Sequence, residues 1–157
     1  MGFSVSASAA IIFISFLIAA STLYTAWDNS YSSVQAARED WYSLRLSQLH
    51  FDVELLGFLY NSTDVIITFE YLGQTISGNV VVLHNGTYVS SVDLGYLIPN
   101  NNYTITVKGG ADESGATNTL VLAFDNGCIW GMTYYYNSTN SVYDVTGIST
   151  QCPTEVS

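Results

Sequence analysis

Ala9-Ala10-Ile11-Ile12-Phe13-Ile14-Ser15-Phe16-Leu17-Ile18-Ala19-Ala20 is the stretch that decides the fold. It lies inside a longer segment, Phe3 to Trp27, that carries no charged side chain. As a helix rising about 1.5 Å per residue, that segment is roughly 37 Å long. This suffices, with some tilt, for a hydrocarbon core about 30 Å thick. A lone spanning segment must pair its own backbone groups, which only a helix can do. Residues 1–27 are therefore read as a transmembrane anchor, with Phe3, Ile11, Ile12, Phe13, Ile14, Phe16, Leu17, Ile18, Leu23 and Trp27 as its membrane-anchoring side chains. No Lys or Arg precedes the apolar run and the run is long, so an uncleaved signal-anchor is expected rather than a removed signal peptide.

Working outward, residues 28–49 contain neither Pro nor Gly, and Val34, Ala37, Trp41 and Leu44 fall at helical spacing. The expectation is a helical stalk continuous with the anchor, its apolar stripe packing on the following domain or on a second copy. From Phe51 the period becomes two. Phe51, Val53 and Leu55 alternate with Asp52 and Glu54; Val65, Ile67, Phe69 and Tyr71 alternate with polar residues; Tyr103, Ile105 and Val107 alternate with Thr104, Thr106 and Lys108. Turn-forming clusters separate the runs: Asn61-Ser-Thr-Asp64, Ser77-Gly78-Asn79, Asn85-Gly86, Pro99 to Asn102, Gly109-Gly110 and Asp125-Asn126-Gly127. About seven short strands with no helix between them predict an antiparallel β-sandwich or barrel over residues 50–157. Leu97-Ile98-Pro99-Asn-Asn-Asn-Tyr103 is similar to the turn-then-tyrosine that enters a late strand of immunoglobulin-like domains. The class is thus mainly β: an N-terminal transmembrane helix, a helical stalk and one sandwich domain. In the last two strands of this reading, Val121, Ala123, Ile129 and Tyr135 make the second face apolar or uncharged as well. Such a face marks a partner or dimer patch unless the stalk or the C-terminal tail covers it.

The charge inventory narrows the function. The 157 residues carry 3 Lys and Arg against 13 Asp and Glu, a net charge of −10. With Arg38, Arg45 and Lys108 scattered, no basic patch exists for phosphate, so nucleic acid is excluded as a partner. Cys128 and Cys152 predict a single disulfide in an exported domain. Asn61, Asn85, Asn102 and Asn137 each begin an Asn-x-Ser/Thr triplet and are candidate glycosylation sites. These features favour a single-pass protein of the cell membrane with its domain outside, although Arg38 and Arg45, taken alone, pull that side inward.

Little in the chain points to catalysis. His50 and His84 lie in no metal-ligand spacing, and no nucleophile elbow or phosphate loop is present. His50 reads as a helix-end cap and His84 as a turn residue beside Asn85-Gly86. Asp112-Glu113 reads as a solvated loop rather than a cation site. The carboxylates of Asp52, Glu54, Asp64 and Glu70 are expected on outward faces. No cofactor is expected, and the protein is read as a non-enzyme.

The opening Met1-Gly2-Phe3-Ser4-Val5-Ser6-Ala7-Ser8-Ala9-Ala10-Ile11-Ile12-Phe13, continuing through Leu23-Tyr24-Thr25-Ala26-Trp27, resembles the start of the FlaF family, accessory proteins of the archaeal flagellum (the archaellum). Asn126-Gly127 after an apolar strand is similar to a short late motif of that family. The resemblance implies a stationary (stator) part of the archaellum motor, anchored in membrane lipid. It implies an external, dimerising immunoglobulin-like domain that binds the surface-layer protein beside a FlaG-like sister protein and other motor components. The alternatives are a pilin- or archaellin-like filament subunit, whose precursor carries a basic leader ahead of the apolar helix, and a generic glycosylated surface adhesin.

Overall fold

The computed structural model describes residues 2–153, with side chains from residue 7 onward. The first element, α1, is a single helix over Gly2–Leu49. Its apolar part is apolar on every side. Ile11, Ile12, Phe13, Ile14, Phe16, Leu17, Ile18, Leu23 and Trp27 are all exposed, which is how lipid-facing residues stand in an isolated chain. The side chain of Phe3 lies outside the described residues. By length and composition the helix can cross a membrane. Its hydroxyls are disposed of internally: Ser15 Oγ donates to the Ile11 carbonyl at 2.8 Å, Ser21 to Ile18 at 2.9 Å and Thr22 to Ala19 at 2.9 Å. In a membrane, each hydroxyl would stand bare without such a bond. Tyr24, Trp27 and Tyr31 follow, amphipathic rings of the kind that settle at a membrane–water boundary, and Asp28 is the first charge. The stripe residues Val34, Trp41 and Leu44 are exposed.

The chain divides into two compact units, the helix through Ser43 and everything from Leu44 onward. The second unit holds eight strands: β1 (Val53–Tyr60), β2 (Val65–Tyr71), β3 (Ile76–His84), β4 (Thr87–Leu97), β5 (Asn101–Val107), β6 (Asn118–Phe124), β7 (Ile129–Asn137) and β8 (Val142–Gln151). They form two antiparallel sheets, β1-β2-β5 and β4-β3-β6-β7-β8. In an immunoglobulin domain the first, second and fifth strands face the third, sixth and seventh, as here. The fourth strand pairs with the third, and an eighth extends the far edge of the larger sheet.

The period-two residues face inward. Val65, Ile67, Phe69 and Tyr71 of β2 pack against Val80 and Val82 of β3, Leu120 and Leu122 of β6, and Trp130, Met132 and Tyr134 of β7, all essentially inaccessible. Phe51, two residues past the helix, closes the helix end of this core, its ring 4.8 Å from Phe124 and 5.9 Å from Tyr71. An aromatic cluster closes the opposite end: Tyr143 lies 4.6 Å from Tyr60, 6.0 Å from Tyr134 and 5.2 Å from Tyr136. Burial pushes the Tyr71 phenol up to about 12 and raises those of Tyr134 and Tyr143 as well, because a phenolate in this core would be desolvated.

Several local expectations need revision. Ser77-Gly78-Asn79 is no turn. It lies inside β3, where the register slips against β4. A Cβ on Gly78 would sit 3.1 Å from the Gly95 backbone, so the absence of a side chain there lets two strands approach at an irregularity. Strand β8 had no clear alternation to reveal it, since most of its residues are exposed. His84 is the last residue of β3 rather than a turn residue. It is half-buried, stacked at 6.3 Å on Tyr134, and its burial lowers its pKa. Asn85 and Gly86 make the turn itself, with φ of 49° and 77°. The tyrosine before β5 does hold a corner. Tyr103 Oη donates to the Tyr96 carbonyl and accepts from Ile98 N–H, both at 2.8 Å, where the chain leaves the larger sheet for the smaller.

Replacing Tyr103 with Phe removes both of these bonds and strands one backbone donor. A loss of about 1–2 kcal/mol is expected, read as a lower midpoint in chemical unfolding. The buried tyrosines set an alkaline limit. Their pKa values are raised in the folded state, so their contribution is fully present below the ordinary phenol value and lost as pH rises through about 10 to 12. Tyrosinate absorbance and loss of β-sheet circular dichroism should therefore rise together in that window, and Tyr71→Phe should shift the transition to higher pH.

Candidate functional site

Two regions of the folded unit stand out: the fastening of the helix end, and the outer face of the larger sheet.

A helix ends with unpaired carbonyls that need donors. Here the first donors are local. His50 N–H and His50 Nδ1–H both reach the Leu46 carbonyl at 3.1 Å, so His50 caps the helix. The rest come from far along the chain. Asn126, only 4% exposed, sits in the turn between β6 and β7. Its Nδ2 donates to the Ser47 carbonyl at 3.4 Å, and its own carbonyl accepts from Gln48 Nε2 at 2.8 Å. Its Oδ1 accepts from Cys128 N–H at 3.1 Å, which holds the turn. Gly127 completes that turn at φ +81°, a conformation that favours glycine. Arg45 donates to the Pro153 carbonyl at 2.8 Å, and Cys152 beside Pro153 is bonded to Cys128. The disulfide adds one rung to the β7–β8 ladder beyond the Ile129–Gln151 pair. Closing that loop contributes roughly 3.5 kcal/mol on the loop-entropy account. A third segment arrives after β2. Leu72 N–H donates to the Asp52 carbonyl at 3.0 Å, and a Cβ on Gly73 would lie 2.5 Å from the His50 carbonyl oxygen, so only glycine fits.

The outer face of the larger sheet carries the four residues of the expected patch. The register sets Val81, Ala123 and Ile129 side by side on β3, β6 and β7, and Leu83 beside Val121 in the next row. Tyr88 of β4, 60% exposed, extends that second row. Val121, Ala123 and Ile129 therefore adjoin, while Tyr135 does not. It lies further along β7, past Gly131 and Thr133, opposite Asp144. Val81, Leu83 and Tyr88 complete the apolar face, and no sequence reading could place them there before β3 was known to lie between β4 and β6.

The remaining candidates are dispersed. Glu54 and Glu70 face each other on the outside of the smaller sheet, and Asp64 accepts from Gly109 N–H at 3.0 Å. Asp112 accepts from Ser114 N–H and Oγ at 2.9 Å, bonds that lower its pKa, so the loop carboxylate is engaged within its own turn. Asn61 and Asn85 lie in turns and Asn137 ends β7, all three at the end of the sandwich away from the helix, and Asn102 lies on β5. Among the described residues, these candidates set no nucleophile beside a base.

Asn126→Ala should be costly for its size. It strands the buried Cys128 N–H and Ser47 carbonyl and should lower stability by about 2–3 kcal/mol. Asn140→Ala, at an exposed turn where, among the described residues, only the backbone N–H is bonded, should cost less, and chemical unfolding of the two variants side by side checks the order.

No curated protein matches the chain. The sequence model of the archaeal-type flagellins matches residues 2–151, across the helix and all eight strands. An apolar helix carrying a β-rich head suits that match, and the protein belongs to the archaeal-type flagellin family.

Proposed function

We propose that the protein is a stationary component of the archaellum machinery. Its helix is set in the cell membrane, and its sandwich stands on the external side, holding the surface-layer protein. The observation that carries this reading is the fastening of the helix end. Asn126, Gln48, Arg45 and the disulfide-held tail tie the last turn of α1 to the folded domain through hydrogen bonds on several sides. A protein that only displays a domain has no need of such a joint, whereas one that resists torque must pass force from domain to membrane without unravelling the helix. The FlaF-like opening through Trp27 supports the same reading, as does the archaellum relationship of the whole chain. The apolar outer face around Val121, Ala123 and Ile129 suits a protein partner, be it the surface-layer protein, a FlaG-like sister or a second copy. The family match favours one second reading, a subunit of the filament itself, in which the apolar helix would pack among its copies instead of in lipid.

Fractionation of native cells separates the two. The stationary reading expects the chain in the membrane and envelope fraction, retaining surface-layer protein on mild detergent extraction, and losing it on Ile129→Glu with folding intact. Recovery as the bulk component of sheared filaments would establish the subunit reading instead.

A further inference from the structure

The four glycosylation triplets are equivalent in sequence but not in the fold. Transfer of a sugar to asparagine needs its side-chain nitrogen free to react. In the Asn85 triplet, Nδ2 donates to Asn118 Oδ1 at 2.9 Å and Oδ1 accepts from Thr119 N–H at 2.8 Å, so both ends of the amide are engaged in a left-handed turn. In the Asn137 triplet, Nδ2 donates to the Asp144 carboxylate at 2.8 Å, a charge-assisted bond. Asn61 differs. Its Oδ1 accepts from Thr63 and Asp64 N–H at 3.0 and 2.8 Å, which fixes the amide in a loop, while no protein group takes its Nδ2 among the described residues. Asn102 stands exposed on the outer side of β5, a sheet-edge strand, with its amide likewise unengaged among the described residues.

The division follows the sheets. Asn61, in the β1–β2 turn, and Asn102, on β5, go with the smaller sheet, while Asn85, in the β3–β4 turn, and Asn137, the last residue of β7, go with the larger one. We infer that Asn61 and Asn102 are the glycan acceptors of the folded protein, that Asn85 and Asn137 stay unmodified, and that sugar therefore coats the smaller sheet and leaves the apolar face of the larger sheet bare. The co-reactant is a lipid-phosphate-linked oligosaccharide. The asparagine nitrogen forms a C–N bond to the anomeric carbon and the C–O bond to phosphate breaks. The lipid phosphate leaves with the electron pair, and one amide proton passes to a base of the transferase. At Asn61 the glycan also shields Leu59, 64% exposed on edge strand β1, a segment otherwise open to strand pairing. The Asn-x-Ser/Thr chemistry requires an outside location, so the inference rests on the external placement of the domain proposed above.

Glycopeptide mass mapping of the full chain purified from its native membrane is the test, beside protease treatment of intact cells to establish sidedness. Expected are glycans at Asn61 and Asn102, none at Asn85 or Asn137, and a domain cut by external protease. Asp144→Ala, which frees the Asn137 amide, should add a third glycan while retaining the native β-sheet spectrum. Sugar at Asn85 or Asn137 in the unaltered chain, a folded Asp144→Ala chain with no gain, or bare sites on a protease-sensitive domain would each overturn the inference and leave the external placement standing. Bare sites on a protease-protected domain would overturn both.

Discussion

The buried carboxamide of Asn126 is the constraint on which the rest of the structure depends. A helix that runs into a β-sandwich presents carbonyls with no partner at the point where solvent is excluded. One side chain answers this by donating to the Ser47 carbonyl while holding its own hairpin through Cys128 N–H. Because Asn126 is locked between β6 and β7, the helix end inherits the rigidity of the larger sheet. Phe51 then fills the space just past the joint, stacking into the core between Phe124 and Tyr71. The two features support each other. Water kept out by the phenyl ring makes the amide bonds worth more, and the amide bonds hold the ring in place.

The sandwich above this joint has two unlike outer surfaces. The smaller sheet carries acids and hydroxyls, with Glu54 directly opposite Glu70 and Thr68 Oγ1 3.2 Å from Thr104 Oγ1. The larger sheet carries Val81, Leu83, Val121, Ala123 and Ile129 in adjoining rows.

Much of this was legible in the sequence because it rests on period. The helix announced itself by uninterrupted apolarity. β2 and β5 did so by strict alternation, since one face of each is buried and the other is not. The Asp125-Asn126-Gly127 turn could be read as a hairpin, and the cysteine pair as a disulfide. What could not be read was long-range placement. Ser77-Gly78-Asn79 has the composition of a turn, and only the neighbouring Gly95 makes it an irregularity within a strand. β8 is so exposed that it has no buried face to impose alternation. The Asn126 side chain was the plainest omission. An asparagine in a turn is usually explained by the turn, and nothing local distinguishes one that also reaches a helix 79 residues earlier. Tyr135 was grouped with Ile129 on the correct face, but alternation gives the face and not the distance along the strand.

The span of the joint along the chain sets an order of assembly. The helix is made before every strand, yet the groups that fasten it lie 78, 79 and 108 residues further on. The last of them, Pro153, is placed by a cysteine bridge that cannot close until Cys152 has been delivered. The helix must therefore reach its destination with its C-terminal carbonyls still served by water. The fastening of the helix end is complete only once residues 126 to 153 have been made. A chain truncated before Asn126 would keep the helix and lose every distant group that fastens its last turn.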